Sequence, residues 1–305
     1  MGEFMKKLFV SVLVFLPLFF TGCGKNLEEK GSKEYITEIN EWHFKRTENL
    51  KKENGWLNLV GLFWLEQGEN TFGTNANNKL VFPTDRGFDF MGKLILEDST
   101  VILEPNENAG IKINGNNAGR VILKDDMSGI PDMMEYGSLK WFIIKRGEKI
   151  GVRLRDLNAP LLILFNGIER FPVNSDWRLE AEFIPYNPPK KLLIPTVIGT
   201  IEEELSPGAI KFKKDGKEFR LDIQDAGKQY FTVLADLTSG KATYGGGRFL
   251  YIEKPDSTGN FFIDFNKAYN PPCVFTKYAT CPLPTKDNYL KLEITAGEKN
   301  YGEGH

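Results

Sequence analysis

Short apolar runs at regular intervals dominate the hydrophobic pattern of this chain from residue 56 onward. Val, Ile and Phe alternate with polar residues, and Gly, Asn and Asp separate the runs. This spacing predicts a β-sandwich or a barrel. The segment before it differs, because apolar residues from Ile36 to Leu50 recur at helical spacing and Ser32 can cap the helix. We therefore predict a mainly β protein with one N-terminal helix at about residues 33–53.

The order of turns and strands after this helix resembles a degenerate forkhead-associated (FHA) sandwich. The resemblance rests on Phe72-Gly73-Thr74, Leu80-Val81-Phe82-Pro83 and the hairpin signal Asn114-Gly115. FHA domains that bind phosphothreonine use an arginine beside the first glycine and a Ser-x-x-His loop. This region has neither, so the resemblance implies an FHA-like β-sandwich without phosphopeptide binding.

A second β-rich unit is expected after a proline-rich boundary. The chain has 305 residues, enough for two domains of ordinary size. Pro188-Pro189, followed by two lysines, is its clearest boundary signal. We place the helix and the FHA-like sandwich at residues 34–156, a connector at 157–190 and the second unit at 191–305.

The N-terminus has the pattern of an export signal. Lys6 and Lys7 precede the apolar run LFVSVLVFLPLFF, which ends just before Thr21-Gly22-Cys23. The run is too short for a stable membrane span and has the length of a signal-peptide core.

The end of this run resembles a bacterial lipoprotein cleavage box, Phe20-Thr21-Gly22-Cys23. The resemblance implies cleavage before Cys23 and attachment of lipid to its thiol. We predict a signal peptide at residues 1–22, a polar tether at 23–33 and a lipid bilayer as a partner of Cys23. Gly24, rather than Asp, favours the outer membrane, with the protein facing the periplasm or the surface. The alternative is an ordinary signal peptide with an incidental cysteine.

Charge and histidine content narrow the possible functions. The chain has 39 basic and 41 acidic side chains, so nothing indicates the basic face that nucleic acid requires. Its two histidines are His43, on the helix, and the terminal His305. A histidine triad or a multi-histidine zinc site cannot be built from them. Phosphate-loop, dinucleotide and nucleophile-elbow motifs are also missing, so we predict no cofactor, no metal and no nucleic-acid partner.

Residues 244–284 concentrate the side chains with special chemical demands. Gly245-Gly246-Gly247-Arg248 is either a bend in a sheet or a ligand loop in which Arg248 binds a carboxylate or phosphate. Asp264 and Asn266 share one face at a strand end. They can hold the following loop, or Asp264 can pair with Arg248 or act as a general base.

The two cysteines of this block, Cys273 and Cys281, allow several readings. An oxidising envelope favours a disulfide. Two separate thiols are the next alternative, and a thiolate nucleophile, a redox pair or a metal site comes last. Metal is the weakest of these, because the spacing is not that of a zinc knuckle.

Several motifs together resemble the bacterial family catalogued as domain of unknown function 1684. They are Trp56-Leu-x-Leu-Val-Gly61-Leu-Phe-Trp64, Asp264-Phe265-Asn266-x-Ala268-Tyr269-Asn270-Pro-Pro-Cys273 and Thr280-Cys281-Pro282. The resemblance runs from about Glu38 to Lys299. It implies one evolutionary unit with residues 244–284 at its core, and it implies no activity.

We therefore expect a pocket built by residues 244–284 that binds a small molecule or a glycan. Its expected lining is Arg170, Tyr244, Arg248, Asp264, Asn266, Tyr269 and Asn270. One alternative is a hydrolase that works without histidine and uses Asp264 with Arg248, or Cys273. Another is a structural module of the envelope with no pocket.

Overall fold

The computed structural model describes residues 27–256, 259 and 261–302. The predicted signal peptide and Cys23 lie outside the described residues. Within the described ranges, no helix combines the length and the apolar character needed to cross a membrane. The helices are α1 (Lys33–Lys51) and the short α2 (Pro160–Leu164). Single 3₁₀ turns occur at Glu107–Ala109, Asp126–Ser128, Ser175–Trp177, Phe265–Lys267, Pro272–Val274 and Lys286–Asn288.

Two sheets packed face to face follow α1 along the chain. The first has the spatial order β1 (Leu59–Trp64), β11 (Lys149–Asp156), β10 (Leu139–Arg146), β9 (Met134–Tyr136), β6 (Lys112–Ile113) and β7 (Asn116–Asn117). The second has the order β3 (Leu80–Val81), β2 (Gly68–Gly73), β4 (Gly92–Glu97), β5 (Thr100–Pro105) and β8 (Val121–Leu123). The Trp141 ring meets Phe72 and Phe82 edge to face between the sheets, and the two phenyl rings are tilted against each other. The predicted mainly β fold with an N-terminal helix and a sandwich is confirmed.

The C-terminal half is built on one six-stranded sheet whose strands differ in length. Its order is β16 (Arg248–Glu253), β15 (Gln229–Leu234), β14 (Lys217–Ala226), β13 (Ile201–Lys214), β12 (Arg178–Pro195) and β17 (Phe262–Asp264). Ile210, Leu221, Leu250 and Phe265 fill the core on one face of this sheet. Burial of this apolar surface is the main stabilising contribution to the half.

Pro188-Pro189 lies inside β12 rather than at a boundary between domains. β12 pairs with β13 on both sides of these prolines, and the pairing is interrupted between Pro185 and Lys190. Proline cannot donate to a strand ladder, so such an interruption is where a sheet tolerates it. The strand therefore runs through residue 190, where we expected the connector to end.

Helix α1 packs against the C-terminal half, although its position in the chain precedes the sandwich. Ser32 caps it through a hydrogen bond from the Tyr35 amide to Oγ, 3.2 Å long. Tyr35 donates to Asp264 across 229 residues of sequence, and the buried Leu50 joins a cluster with Val274. The helix thereby forms one wall of the space above residues 244–284.

Candidate functional site

Asp264 and Asn266 anchor α1 and the following loop. The Tyr35 hydroxyl donates to Asp264 Oδ2 at 2.8 Å, and the Asn266 amide and side chain both donate to Asp264 Oδ1 at 3.0 Å. Asn266 Oδ1 also accepts from the Asn174 backbone at 2.9 Å. Burial and the neighbouring Asp264 raise the pKa of Tyr35 above its usual range, so the phenol stays a donor. The loop-holding role considered for these two residues is the one that their contacts match.

Arg248 is wholly buried and cannot line a ligand pocket, contrary to our expectation. Its Nη2 lies 2.8 Å from Asp236 Oδ2, and both side chains have no exposed surface. The guanidinium also donates to the backbone oxygens of Ile294 and Ala296. It makes no pair with Asp264, so the proposed catalytic pair does not form.

The glycine triplet before Arg248 serves the backbone. Gly247 has φ +86°, and a Cβ atom there would lie 2.6 Å from the Leu234 carbonyl oxygen. Only glycine fits this approach at the start of β16. The segment is a turn that leads into β16, closed by a hydrogen bond from the Gly247 amide to the Tyr244 carbonyl oxygen at 3.1 Å, rather than a bend within a sheet.

Asn270 is also buried, beneath α1. Its backbone amide donates to Glu298 Oε2 at 2.7 Å, and its backbone carbonyl accepts from Arg46 Nη2 at 3.0 Å. Burial raises the pKa of Glu298, whose Oε1 lies 3.6 Å from Arg46 Nε and 4.0 Å from His43 Nε2. Burial, reinforced by Arg170 and Arg46, lowers the pKa of His43 to about 4. His43 is therefore neutral at pH 7.

Cys273 and Cys281 are joined by a disulfide in the structure. The chain-entropy model gives the short loop that it closes a stabilisation of about 2–3 kcal/mol. A nucleophile or a metal ligand requires a free thiolate, so neither role is open to these residues in the oxidised protein.

The remaining expected residues lie at three different places. Arg170 is half-buried on the far flank of α1, where it donates to Asn40 Oδ1. Tyr244 packs beside the apolar cluster of Leu50 and Val274. Tyr269 is half-buried below α1 and, with Asp264, does line a cavity. Of the seven residues expected to line one pocket, the structure brings these two together.

That cavity is part of a longer space between α1 and the C-terminal sheet, which we call the aromatic cleft. It consists of two adjoining cavities of about 440 Å³ each, and Trp42, Tyr251 and Tyr269 line both. The rings of Tyr251 and Tyr269 are nearly parallel, at 12°, with centroids 6.3 Å apart. Trp42 is tilted against Tyr269 at the same separation. Tyr251 is 45% exposed, so an aromatic face is open to a ligand.

The two ends of the aromatic cleft differ in chemistry. At the polar end, the added wall residues include Glu38, Arg178, Lys254, Asp264 and Lys267. At the aromatic end they are Lys45, Arg46, Asn49, Trp56, Phe231, Phe249 and Pro272. The Arg46 guanidinium lies 4.7 Å from the centre of the Tyr269 ring. Burial raises the pKa of Tyr269 above its usual range.

Sequence reasoning missed most of this lining. The available signal was an aromatic alternation in β16, where Phe249 and Tyr251 share one face, together with Trp42 beside the apolar stripe of α1. Among the described residues, no group of three or more His, Cys, Asp or Glu side chains is arranged to hold a metal ion.

Comparison with known proteins identifies the family of the C-terminal half. The family model described as protein of unknown function (DUF1684) matches residues 164–299. Residues 164–299 belong to the DUF1684 family. The matched range contains the disulfide, Glu298 and all six strands of the C-terminal sheet. It is narrower than the resemblance, which began at about Glu38.

No curated protein matches the chain significantly. Among solved structures, an uncharacterized protein of Haloarcula marismortui, determined by NMR in solution, is similar to it. The two are 28% identical over 44% of this chain and 77% of that one, with a TM-score of 0.37.

Proposed function

We propose that this protein binds a small molecule or a glycan in the aromatic cleft. The supporting observation is the aromatic surface of Trp42, Tyr251 and Tyr269 inside a space whose walls also carry charged side chains. Ligand sites combine such apolar walls with a few convergent polar groups. Sugars match this combination, because their C–H faces stack on aromatic rings while their hydroxyls bond to charged side chains.

The polar end offers both donors and acceptors for such hydroxyls. The Arg178 guanidinium stands 4.6 Å from the Phe262 ring, which holds its plane at the cavity wall. Asp264 is held in place by Tyr35 and Asn266, so its carboxylate is fixed before a ligand arrives. Fixed polar groups lower the entropic cost of binding.

The binding proposal has more support than the hydrolase hypothesis. Hydrolysis without histidine needs an activated acid, base or nucleophile within reach of the substrate. Arg248 is engaged by Asp236, and the sulfur of Cys273 by Cys281.

Tryptophan fluorescence tests the proposal, because Trp42 and Trp56 line the aromatic cleft. We would titrate the protein with chitotriose and maltotriose, after native mass spectrometry for a co-purified ligand. Tyr251→Ala should abolish the saturable change in emission. Tyr289→Ala is the matched control, since Tyr289 is a 58% exposed tyrosine outside the aromatic cleft. An equal response from the two variants, or no saturable response and no co-purified ligand, would sink the proposal.

We also propose that the protein is an envelope lipoprotein anchored through Cys23. The support is the sequence pattern of the leader and its cleavage box. Lipid on the Cys23 thiol would hold the aromatic cleft near a membrane surface. Mass spectrometry of the protein from its native membrane should find cleavage before Cys23 and an added diacylglyceryl group. An intact leader with an unmodified Cys23 would contradict this proposal without affecting the first.

A further inference from the structure

Arg153, on β11, is a buried cation whose hydrogen bonds are incomplete. Its residue surface is 4% exposed, and its Nε has no hydrogen-bond partner. Its one hydrogen bond to a side chain runs from Nη2 to the Thr280 hydroxyl at 3.4 Å, a long contact. No carboxylate of the described chain forms an ion pair with it, whereas buried charges in proteins are as a rule paired.

The groups around Arg153 increase this imbalance. Arg146 and Arg155 lie close enough that, after burial, their charges are the next causes lowering the pKa of Arg153 to about 10. Arg153 is therefore still charged at pH 7. The acid that opposes this effect is Asp126, whose Oδ2 lies 2.8 Å from Arg146 Nη1 and whose Oδ1 accepts from the Lys145 amide. That carboxylate is already used by its neighbours.

The aromatic partner of Arg153 compensates only part of its charge. The guanidinium lies 5.4 Å from the centre of the Trp56 ring. Such a cation–π contact is a modest stabilising interaction. Burial of an ion without a counter-ion costs more than this contact returns.

We propose that Arg153, Arg146 and Thr280 form a binding site for an oxyanion, that is, a phosphoryl, sulfate or carboxylate group. The site lies at the seam where β11 of the sandwich meets the loop of residues 276–281. It is a second site beyond the function proposed for the aromatic cleft.

The donor geometry suits such a group. Arg146 Nε and Arg153 Nη2 both donate to Thr280 Oγ1, at 3.2 and 3.4 Å. Two guanidinium groups thus converge on one hydroxyl, whose own proton is free to donate. Planar guanidinium forks match the oxygen pairs of phosphate, sulfate and carboxylate.

The site borders solvent on one side. The Arg146 side chain is 19% exposed, and Thr280 is half-buried. The neighbouring Cys281 is fixed by the disulfide, which holds the Thr280 hydroxyl in position. An anion bound from that side would displace the hydrogen bond between Arg146 and Thr280 and could then accept from the buried, unpartnered Nε of Arg153.

The first experiment measures thermal unfolding of the full chain in sodium phosphate, sulfate or acetate, against sodium chloride at equal ionic strength. An anion bound to the folded state raises Tm with its concentration. We expect a saturable rise with at least one oxyanion, and loss of that rise in Arg153→Met. Arg120→Met removes an exposed arginine of the sandwich and should keep the rise. No oxyanion-specific rise in the wild type, or the same rise in Arg153→Met, would overturn the proposal.

Two conservative variants keep the test valid if Arg153→Met does not fold. Arg153→Lys retains the charge and loses the planar fork, so oxyanion affinity should fall by about tenfold or more. Thr280→Val keeps the shape and removes the hydroxyl, and it should weaken the oxyanion effect as well. Unchanged affinity in both variants would equally reject the site.

Competition separates a free anion from an anionic group on a larger ligand. Trp56 lines the aromatic end of the cleft and also contacts Arg153. If phosphate displaces an anionic co-purified ligand, the oxyanion site recognises the anionic group of that ligand. If both bind together, it takes a separate anion. Failure of sugar binding alone leaves the oxyanion result standing.

Discussion

Two buried arginines, Arg248 in the C-terminal half and Arg153 in the sandwich, have opposite surroundings. Arg248 has an aspartate at 2.8 Å and two backbone oxygens, although its Nε, like that of Arg153, has no hydrogen-bond partner. Arg153 has a threonine hydroxyl at 3.4 Å, an aromatic ring and two arginine neighbours. A buried charge whose counter-ion is supplied by the chain is part of the fold. One without a counter-ion leaves a charge that a partner from outside can neutralise.

The largest effect should follow from breaking the ion pair between Arg248 and Asp236. Asp236→Ala leaves the Arg248 guanidinium buried with no counter-charge, so we expect a loss of about 3–5 kcal/mol in the free energy of unfolding. Urea unfolding measures it. Asp225→Ala, which removes an exposed carboxylate of the same sheet, should cost far less, because solvent screens that ion pair. Similar losses in the two variants would mean that Arg248 does not depend on its pair.

The sequence could predict the local features of this fold but not these pairings. Ser32 caps α1, and Asn114-Gly115 and Asp215-Gly216 turn hairpins with positive φ at both residues. Each depends on neighbours within a few positions. The mainly β class followed from alternation in the same way.

The candidate site depends on contacts between distant positions, which one sequence does not reveal. The glycine triplet drew attention to Arg248, whereas Asp236, its partner, lies twelve positions earlier in an ordinary turn. Arg153 stands in a regular strand with no local signal. The aromatic cleft requires α1 to dock on residues more than 200 positions away, through Tyr35 and Asp264.

The disulfide lies in the C-terminal half with Arg248 but also affects Arg153, because it holds the loop that carries Thr280. Replacing Cys273 and Cys281 together by serine should lower the free energy of unfolding by about 2–3 kcal/mol. Chemical denaturation of oxidised and reduced wild type gives an independent measure. The same change should weaken any oxyanion effect on Tm, since Thr280 is freed. A stable variant with an unchanged oxyanion response would separate the disulfide from the site.

A smaller effect of opposite sign is expected at Arg153. Without any oxyanion, Arg153→Met removes an uncompensated buried charge and fills the space with an apolar side chain. The free energy of unfolding should therefore stay level or rise by about 1–2 kcal/mol. Urea unfolding in chloride buffer, beside the Asp236→Ala variant, tests the difference directly. A loss as large as that of Asp236→Ala would show that the charge of Arg153 is as well compensated by the chain as that of Arg248.

The smallest effect concerns His43. This half-buried side chain has a carboxylate nearby, as Arg248 does, but is itself neutral. Its pKa is about 4 in the folded protein against an ordinary value of 6.5, with burial as the main cause and Arg170 and Arg46 as further ones. The unfolded chain therefore binds the proton more tightly. The stability that neutral His43 contributes is present above pH 6.5 and is lost as the pH falls towards 4.

Glu298, 4.0 Å away, works in the other direction, because burial raises its pKa and acid relieves the cost of its charge. The histidine contribution is isolated by comparing the wild type with His43→Gln, which keeps Glu298. Because 17% of the His43 side chain is exposed, solvent screening should limit the difference to about 1 kcal/mol between pH 7 and pH 4. Urea unfolding across this range should show a steeper fall for the wild type. If the unfolding free energies of the two proteins fall in parallel with pH, His43 is solvated enough in the folded protein to keep an ordinary pKa. In that case α1 packs less closely against Glu298 than against Asp264.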